Sequence, residues 1–95
     1  MSEATGQIVR STAGHDKGLL FCVVGEEAPF LLLANGKQRK LAAPKKKKDI
    51  HVERVGALDQ KVLDKLIDGN SVSDRELRMA LAAFKGGNHA WQKTI

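Results

Sequence analysis

The chain has 95 residues, 42% hydrophobic and 28% charged, with nine Gly and two Pro, which describes one small soluble domain and excludes a second independent core. No apolar stretch approaches the roughly twenty residues of a membrane span, and Met1 to Gly6 has none of the regions of a secretory signal, so a cytoplasmic location without membrane contact is expected. One cysteine, Cys22, and three scattered histidines, His15, His51 and His89, provide neither an internal disulfide nor zinc-ligand spacing, so neither metal nor any other cofactor is expected.

Residues 1 to 5 read as a disordered tail. Gln7 to Thr12, with Ile8-Val9, suits a first strand, and Ala13 to Gly18 is a turn-rich loop in which Gly14 and Gly18 tolerate positive φ. Leu19 to Val24 and Phe30 to Ala34 are continuous apolar runs and read as central strands, with a turn at Gly25 to Pro29. Asn35-Gly36 favours a two-residue hairpin, which places a fourth strand over Lys37 to Leu41. The alternation of Ile50, Val52 and Arg54 gives a fifth strand over Ile50 to Val55.

From Ala57 the period becomes helical. Val62, Leu63, Leu66 and Ile67 form one short amphipathic helix that stops at Gly69-Asn70. Ser73-Asp74-Arg75-Glu76 is a capping box that opens a second, with Leu77, Ala80, Leu81 and Phe84 on one face up to Gly86-Gly87. Residues 88 to 95 read as a frayed tail, with Trp91 the one residue in it suited to pack back on the domain. Both faces of Leu19 to Val24 are apolar, so a sheet curled around one face needs a cover on the other, and the helices supply it. The resulting domain organisation is a barrel over residues 6–56 and a helical extension over 57–87.

The net charge is +5, and its placement is informative. Residues 49 to 95 hold seven bases and seven acids, so the excess lies in the first half. There Lys37 to Lys48 contains Lys37, Arg39, Lys40, Lys45, Lys46, Lys47 and Lys48 and no acid, the electrostatic footprint of a polyanion binder. The rival readings of Pro44-Lys45-Lys46-Lys47-Lys48 are a solvated linker, a nuclear-import address and a contact with anionic lipid. Few aromatics leave no stacking platform for single-strand bases, with Phe21, Phe30 and Phe84 assigned to the core, so recognition should follow shape and backbone. Arg10 and Arg39 are the residues suited to bidentate contacts. No nucleophile, base and oxyanion donor converge, and Cys22 lies mid-strand, so no enzyme is expected.

Gly6 to Gly25, with Asp16-Lys17-Gly18 ending the loop between two strands, resembles the KOW motif found in ribosomal proteins and in transcription elongation factors of the NusG type. With Ala34 to Leu41 and Pro44 to Lys48 added, the pattern resembles the small ribosomal-protein-like KOW proteins that bind RNA, over about residues 6 to 55. That resemblance implies a five-stranded SH3-like barrel, mostly β with two short C-terminal helices packed on it, and an RNA partner, ribosomal RNA foremost. It also implies RNA contacts at Arg10, Gly14, His15, Lys17 and Gly18. His15 departs from the family, in which a fixed cation such as Arg is common, because an ordinary imidazole is mostly neutral at pH 7. The alternative is a protein-interaction module in transcription or ribosome assembly, working through the mixed charges of residues 59 to 85 on a ribosomal protein or an assembly factor.

Overall fold

The structure is a computed structural model that describes residues 3–68 and 72–94, with side chains described up to residue 86. It is a mixed α+β fold: an antiparallel five-stranded sheet, β1 (Gln7–Ser11), β2 (Leu20–Glu27), β3 (Phe30–Ala34), β4 (Lys45–Lys48) and β5 (Val52–Ala57), followed by α1 (Gln60–Ile67) and α2 (Asp74–Thr94). The strand order is β4-β3-β2-β1-β5. The first four strands therefore form a meander, and β5 returns to pair with β1 along Gln7↔Ala57 to Ser11↔Val52. The expected closed barrel is not formed among the described residues: β4 and β5 remain the two edges, joined by one 3-10 turn at Asp49–His51.

Alternation along the strands makes two cores. Val9, Phe21, Val23, Leu31 and Leu33 fill one face together with Ala4. Ile8, Cys22 and Ala34 point to the other, where Leu58, Val72, Leu77 and Leu81 from the C-terminal half cover them. The helices thus bury the second apolar face that a lone sheet would leave wet. Two register shifts, opposite Ile8/Val9 on the β1–β5 ladder and at Val23/Gly25 on the β2–β3 ladder, are bulges, which add local twist and bend the sheet around the first core.

Several expectations are corrected. Residues 37–41 form no strand. The Asn35 carboxamide oxygen accepts the Lys37 and Arg39 backbone N–H groups, both at 3.0 Å, and the Arg39 carbonyl accepts from Asn35 and Gly36 N–H, both at 2.9 Å. Those bonds wind 35–39 into a closed loop, and the fourth strand is the tetralysine itself, paired Leu31↔Lys47 and Leu33↔Lys45. The fifth strand begins at Val52, because Asp49–His51 makes the 3-10 turn, and Ile50 is 78% exposed. Strand β2 continues to Glu27, so its turn with β3 narrows to Ala28-Pro29, a cis peptide. At the N-terminus, residues 3–6 form a turn that buries Ala4 in the first core in place of a tail, while Met1 and Ser2 lie outside the described residues. The second helix is not short: its 21 residues pass through Gly86-Gly87 to Thr94, over the segment expected to fray. The expected stop at Gly69-Asn70 and the Trp91 side chain lie outside what is described.

The helix starts follow their side chains. Asp59 caps α1 by accepting from Lys61 N–H at 3.1 Å. At α2, Glu76 N–H donates to Ser73 Oγ at 3.1 Å and Ser73 N–H to Glu76 Oε1 at 3.4 Å, the reciprocal bonds of a capping box. Lys65 on α1 donates to Glu76 Oε2 at 2.9 Å, and that bond, aided by the Ser73 backbone, holds the Glu76 carboxyl below its ordinary pKa. The α2 start is seated on the 35–39 loop: Leu41 N–H donates to Asp74 Oδ1 at 2.8 Å and Arg78 Nη1 to the Gly36 carbonyl at 2.6 Å.

Two substitutions probe this seat. Gly36 holds φ +76, and a Cβ there would run into the Asp74 backbone carbonyl and the Arg78 side chain. Gly36→Ala should therefore cost at least the ~1–2 kcal/mol of left-handed backbone, and more from the clash. Leu77 is fully buried between α2 and the sheet, so Leu77→Ala should cost about 2–5 kcal/mol. Urea denaturation of both variants measures these losses, and wild-type midpoints would show that α2 is not seated as described.

Candidate nucleic-acid interface

The loop between β1 and β2 and the lysines of β4, far apart in sequence, meet at one carboxylate. Asp16 Oδ1 accepts from the Ser11 hydroxyl at 2.7 Å and from Lys47 Nζ at 2.5 Å, and Lys45 Nζ lies 2.6 Å from Oδ2. Lys47 also donates to the Ala13 carbonyl at 2.7 Å. Ser11, Asp16 and Lys47 are all buried, Lys47 to 8% exposure. Burial pushes the Asp16 pKa up, but the hydrogen bonds from Lys45, Lys47 and Ser11 outweigh it and hold the carboxyl far below the usual range.

Strand geometry explains why two lysines turn inward. Directly paired residues on neighbouring antiparallel strands point to the same face. Lys47 and Lys45 therefore share the face of Leu31 and Leu33, at the rim of the first core, and Lys46 and Lys48 share the opposite face. The tetralysine is thus not a row of four free ammonium groups. Lys45 and Lys47 are spent on Asp16, and Lys46 pairs with Glu27 at 2.9 Å on the surface.

The loop itself is fixed by its backbone. Gly18 N–H donates to the Ser11 carbonyl at 2.8 Å, Ser11 N–H to that of Leu19 at 3.0 Å, and Leu19 N–H to that of Asp16 at 3.0 Å. Gly14 and Gly18 hold φ +84 and +92, the left-handed conformation this turn demands. His15 and Lys17 stand exposed at its tip, flanked by the exposed backbone of Gly14 and Gly18. The result is a rigid loop that presents a cation from a scaffold pinned behind it by an ion pair.

The other expected contacts divide similarly. Arg10, exposed on β1, pairs with Glu53 across the β5 ladder at 3.3 Å, a solvent-screened pair worth little. Lys37, Arg39 and Lys40 are exposed on the 35–40 loop, and Lys48 at the end of β4. Among the described residues these four and Lys17 have no carboxylate partner. The side chain that unites the expected motifs, Asp16, was not singled out by sequence reasoning. Its signal was there, since Asp16 is the only acid between Glu3 and Glu26.

Elsewhere, burial pushes the Cys22 thiol up to about 12, so its nucleophilic form is suppressed. No cluster of three or more His, Cys, Asp or Glu side chains with metal-binding geometry occurs among the described residues, and no described helix is long and apolar enough to cross a membrane. The chain matches no protein-family model and no curated protein.

The Asp16 network has a pH signature. Because its folded pKa is depressed, its contribution to stability is fully present above the unfolded value of about 3.9. That contribution is lost as pH falls from there through the strongly acid range. Asp16→Asn should cost about 3–5 kcal/mol at pH 7 by leaving Lys47 buried without its anion. It should also flatten the loss of stability between about pH 5 and pH 2. Adding Lys47→Met should recover most of the loss. Urea midpoints across that range decide it, and an unrescued double variant would contradict the assignment.

Proposed function

We propose that this chain is a non-enzymatic RNA-binding module that holds structured RNA, ribosomal RNA in the first place, by its sugar-phosphate backbone. The observation that carries the reading is the set of exposed cations without a carboxylate partner among the described residues, Lys17, Lys37, Arg39, Lys40 and Lys48, on loops and a strand end fastened from behind by Asp16 and Asn35. Loops on rigid scaffolds are where binding residues concentrate. A cation carried on a hydrogen-bonded loop backbone leaves only its side chain to be ordered on meeting phosphate, which favours affinity.

The KOW resemblance of Gly6 to Gly25 points the same way. A four-strand meander whose fifth strand returns to the first, bent by two bulges, is the connectivity of an SH3-like barrel and supports that reading of the fold. A cytoplasmic, ribosome-associated role suits such a module.

A second reading, capture of a protein in transcription or ribosome assembly, is favoured by one observation. An apolar groove of about 640 Å³ between the helices is lined by Val62, Ala83, Phe84 and Met79, the last 60% exposed. The two readings part at Met79 in that groove: Met79→Asp should weaken the protein partner and leave RNA affinity unchanged.

Five phosphate contacts imply a log–log salt slope near −4. Titration of fluorescein-labelled ribosomal RNA fragments across a range of salt should give that slope, and Lys17→Gln with Lys48→Gln should reduce it by about 2. Lys47→Gln should instead lower thermal stability. Absence of binding at low salt, or a slope near zero, would refute the reading.

A further inference from the structure

We infer that helix α2 is part of the RNA interface, and that a groove between it and the two basic loops takes the sugar-phosphate backbone of a non-helical RNA segment; the inference rests on the RNA-binding reading above. The groove, of about 240 Å³, begins at Gly18, near the end of the β1–β2 loop. Its apolar side chains are Leu19, Leu20 and Leu81. Three cations line it as well: Lys37 from the 35–39 loop and Arg78 and Lys85 from α2, seven residues apart and hence on one helix face.

Four features favour phosphate with sugar as the occupant. Among the described residues no Asp or Glu lines the groove. Among the described residues, Lys37, Arg78 and Lys85 have no carboxylate partner, so three like charges surround one depression, an arrangement that repels itself until an anion enters. Arg78 is already held by its bond to the Gly36 carbonyl at 2.6 Å, which fixes a guanidinium beside the groove. Finally, at Gly18 a Cβ would find nothing within 4 Å, and Ala82 brings only a methyl group, so the backbones of loop and helix stay open to close approach.

Size and lining set the RNA class. About 240 Å³ over leucine side chains suits a single extruded sugar-phosphate unit rather than a duplex face. Among the described residues no aromatic ring lines the groove to stack a base, so the contact they offer is with backbone and ribose. The groove abuts Gly18 and includes Lys37, so it joins the Asp16-Lys17-Gly18 loop to the 35–40 loop, the two separate basic features of the sequence.

The test uses the full chain and two fluorescein-labelled RNA hairpins, one carrying a single-stranded bulge and one fully paired. Lys37→Gln with Lys85→Gln should reduce the salt slope for the bulged hairpin by about 2. Ala82→Glu, which removes no cation, should weaken binding about tenfold or more by placing an acid at the groove wall. Lys61→Gln, on exposed α1, should match wild type. All these positions are exposed, and circular dichroism confirms that each variant folds. If wild type binds and the groove variants match it, or Lys61→Gln weakens binding as much as they do, the groove is overturned and the RNA-binding reading stands. Equal affinity for the two hairpins overturns the non-helical preference. Failure of wild type to bind either RNA overturns both readings together.

Discussion

Asp16 is the constraint on which the rest of this structure depends. Strand β4 is four identical side chains, and a run of lysines carries no register information of its own. A slip of one residue would turn Lys46 and Lys48 toward the first core and Lys45 and Lys47 to the outside. Asp16, on the face of Leu31 and Leu33, accepts ammonium groups from alternate positions, so the two lysines that turn in, Lys45 and Lys47, are both paired. A buried pair of this kind adds little net stability over an apolar replacement, because desolvation offsets most of the attraction, but it strongly disfavours every register in which one partner is left alone. The same carboxylate closes the β1–β2 loop through Ser11, so one group fixes both an edge strand and the loop that presents Lys17.

That arrangement changes where the protein's charge acts. The basic run of residues 37–48 divides into lysines that hold the fold and cations that face water. Lys45 and Lys47 belong to the first group, Lys37, Arg39, Lys40 and Lys48 to the second, and Lys46 faces water paired with Glu27. The cations of that run without a carboxylate partner among the described residues are therefore carried by a loop and a strand end. The apolar faces do separate work: one core lies within the bend of the sheet, and the other joins it to α2 through Leu77 and Leu81.

Much of this was legible in the sequence where local chemistry is decisive. The alternation of Leu19 to Val24 foretold two buried faces, and the spacing of Leu77, Ala80, Leu81 and Phe84 foretold which helix face covers one of them. The Ser73–Glu76 capping box sits at its expected place. Asn35-Gly36 misled because the hairpin rule considers two residues at a time. Here the Asn35 side chain accepts two backbone N–H groups and donates to Gln38 Oε1 and the Leu20 carbonyl, a local closure that competes with a ladder. The displaced strand then fell on Lys45–Lys48, which strand propensity disfavours and which only a distant acid, Asp16, makes tolerable. Non-local compensation of that kind leaves no periodic trace in a single sequence.

The charge balance of the second half shows the same limit from another side. Seven bases and seven acids in residues 49–95 cancel as a sum, which placed the basic excess in the first half. A folded surface does not sum charge along the chain, because a helix sorts its residues by face every 3.6 positions. On α2, Glu76 is drawn toward Lys65 of α1, and Asp74 is engaged by the Leu41 backbone. Arg78 and Lys85 are left to line the groove beside Gly18 and Lys37. The two acids of α2 are engaged at its seat while Arg78 and Lys85 line the groove, so a segment with no net charge extends the positive surface of the segment before it. Electrostatic character here belongs to faces, and the face that α2 shares with the two loops is basic because packing has already consumed the acids on the others.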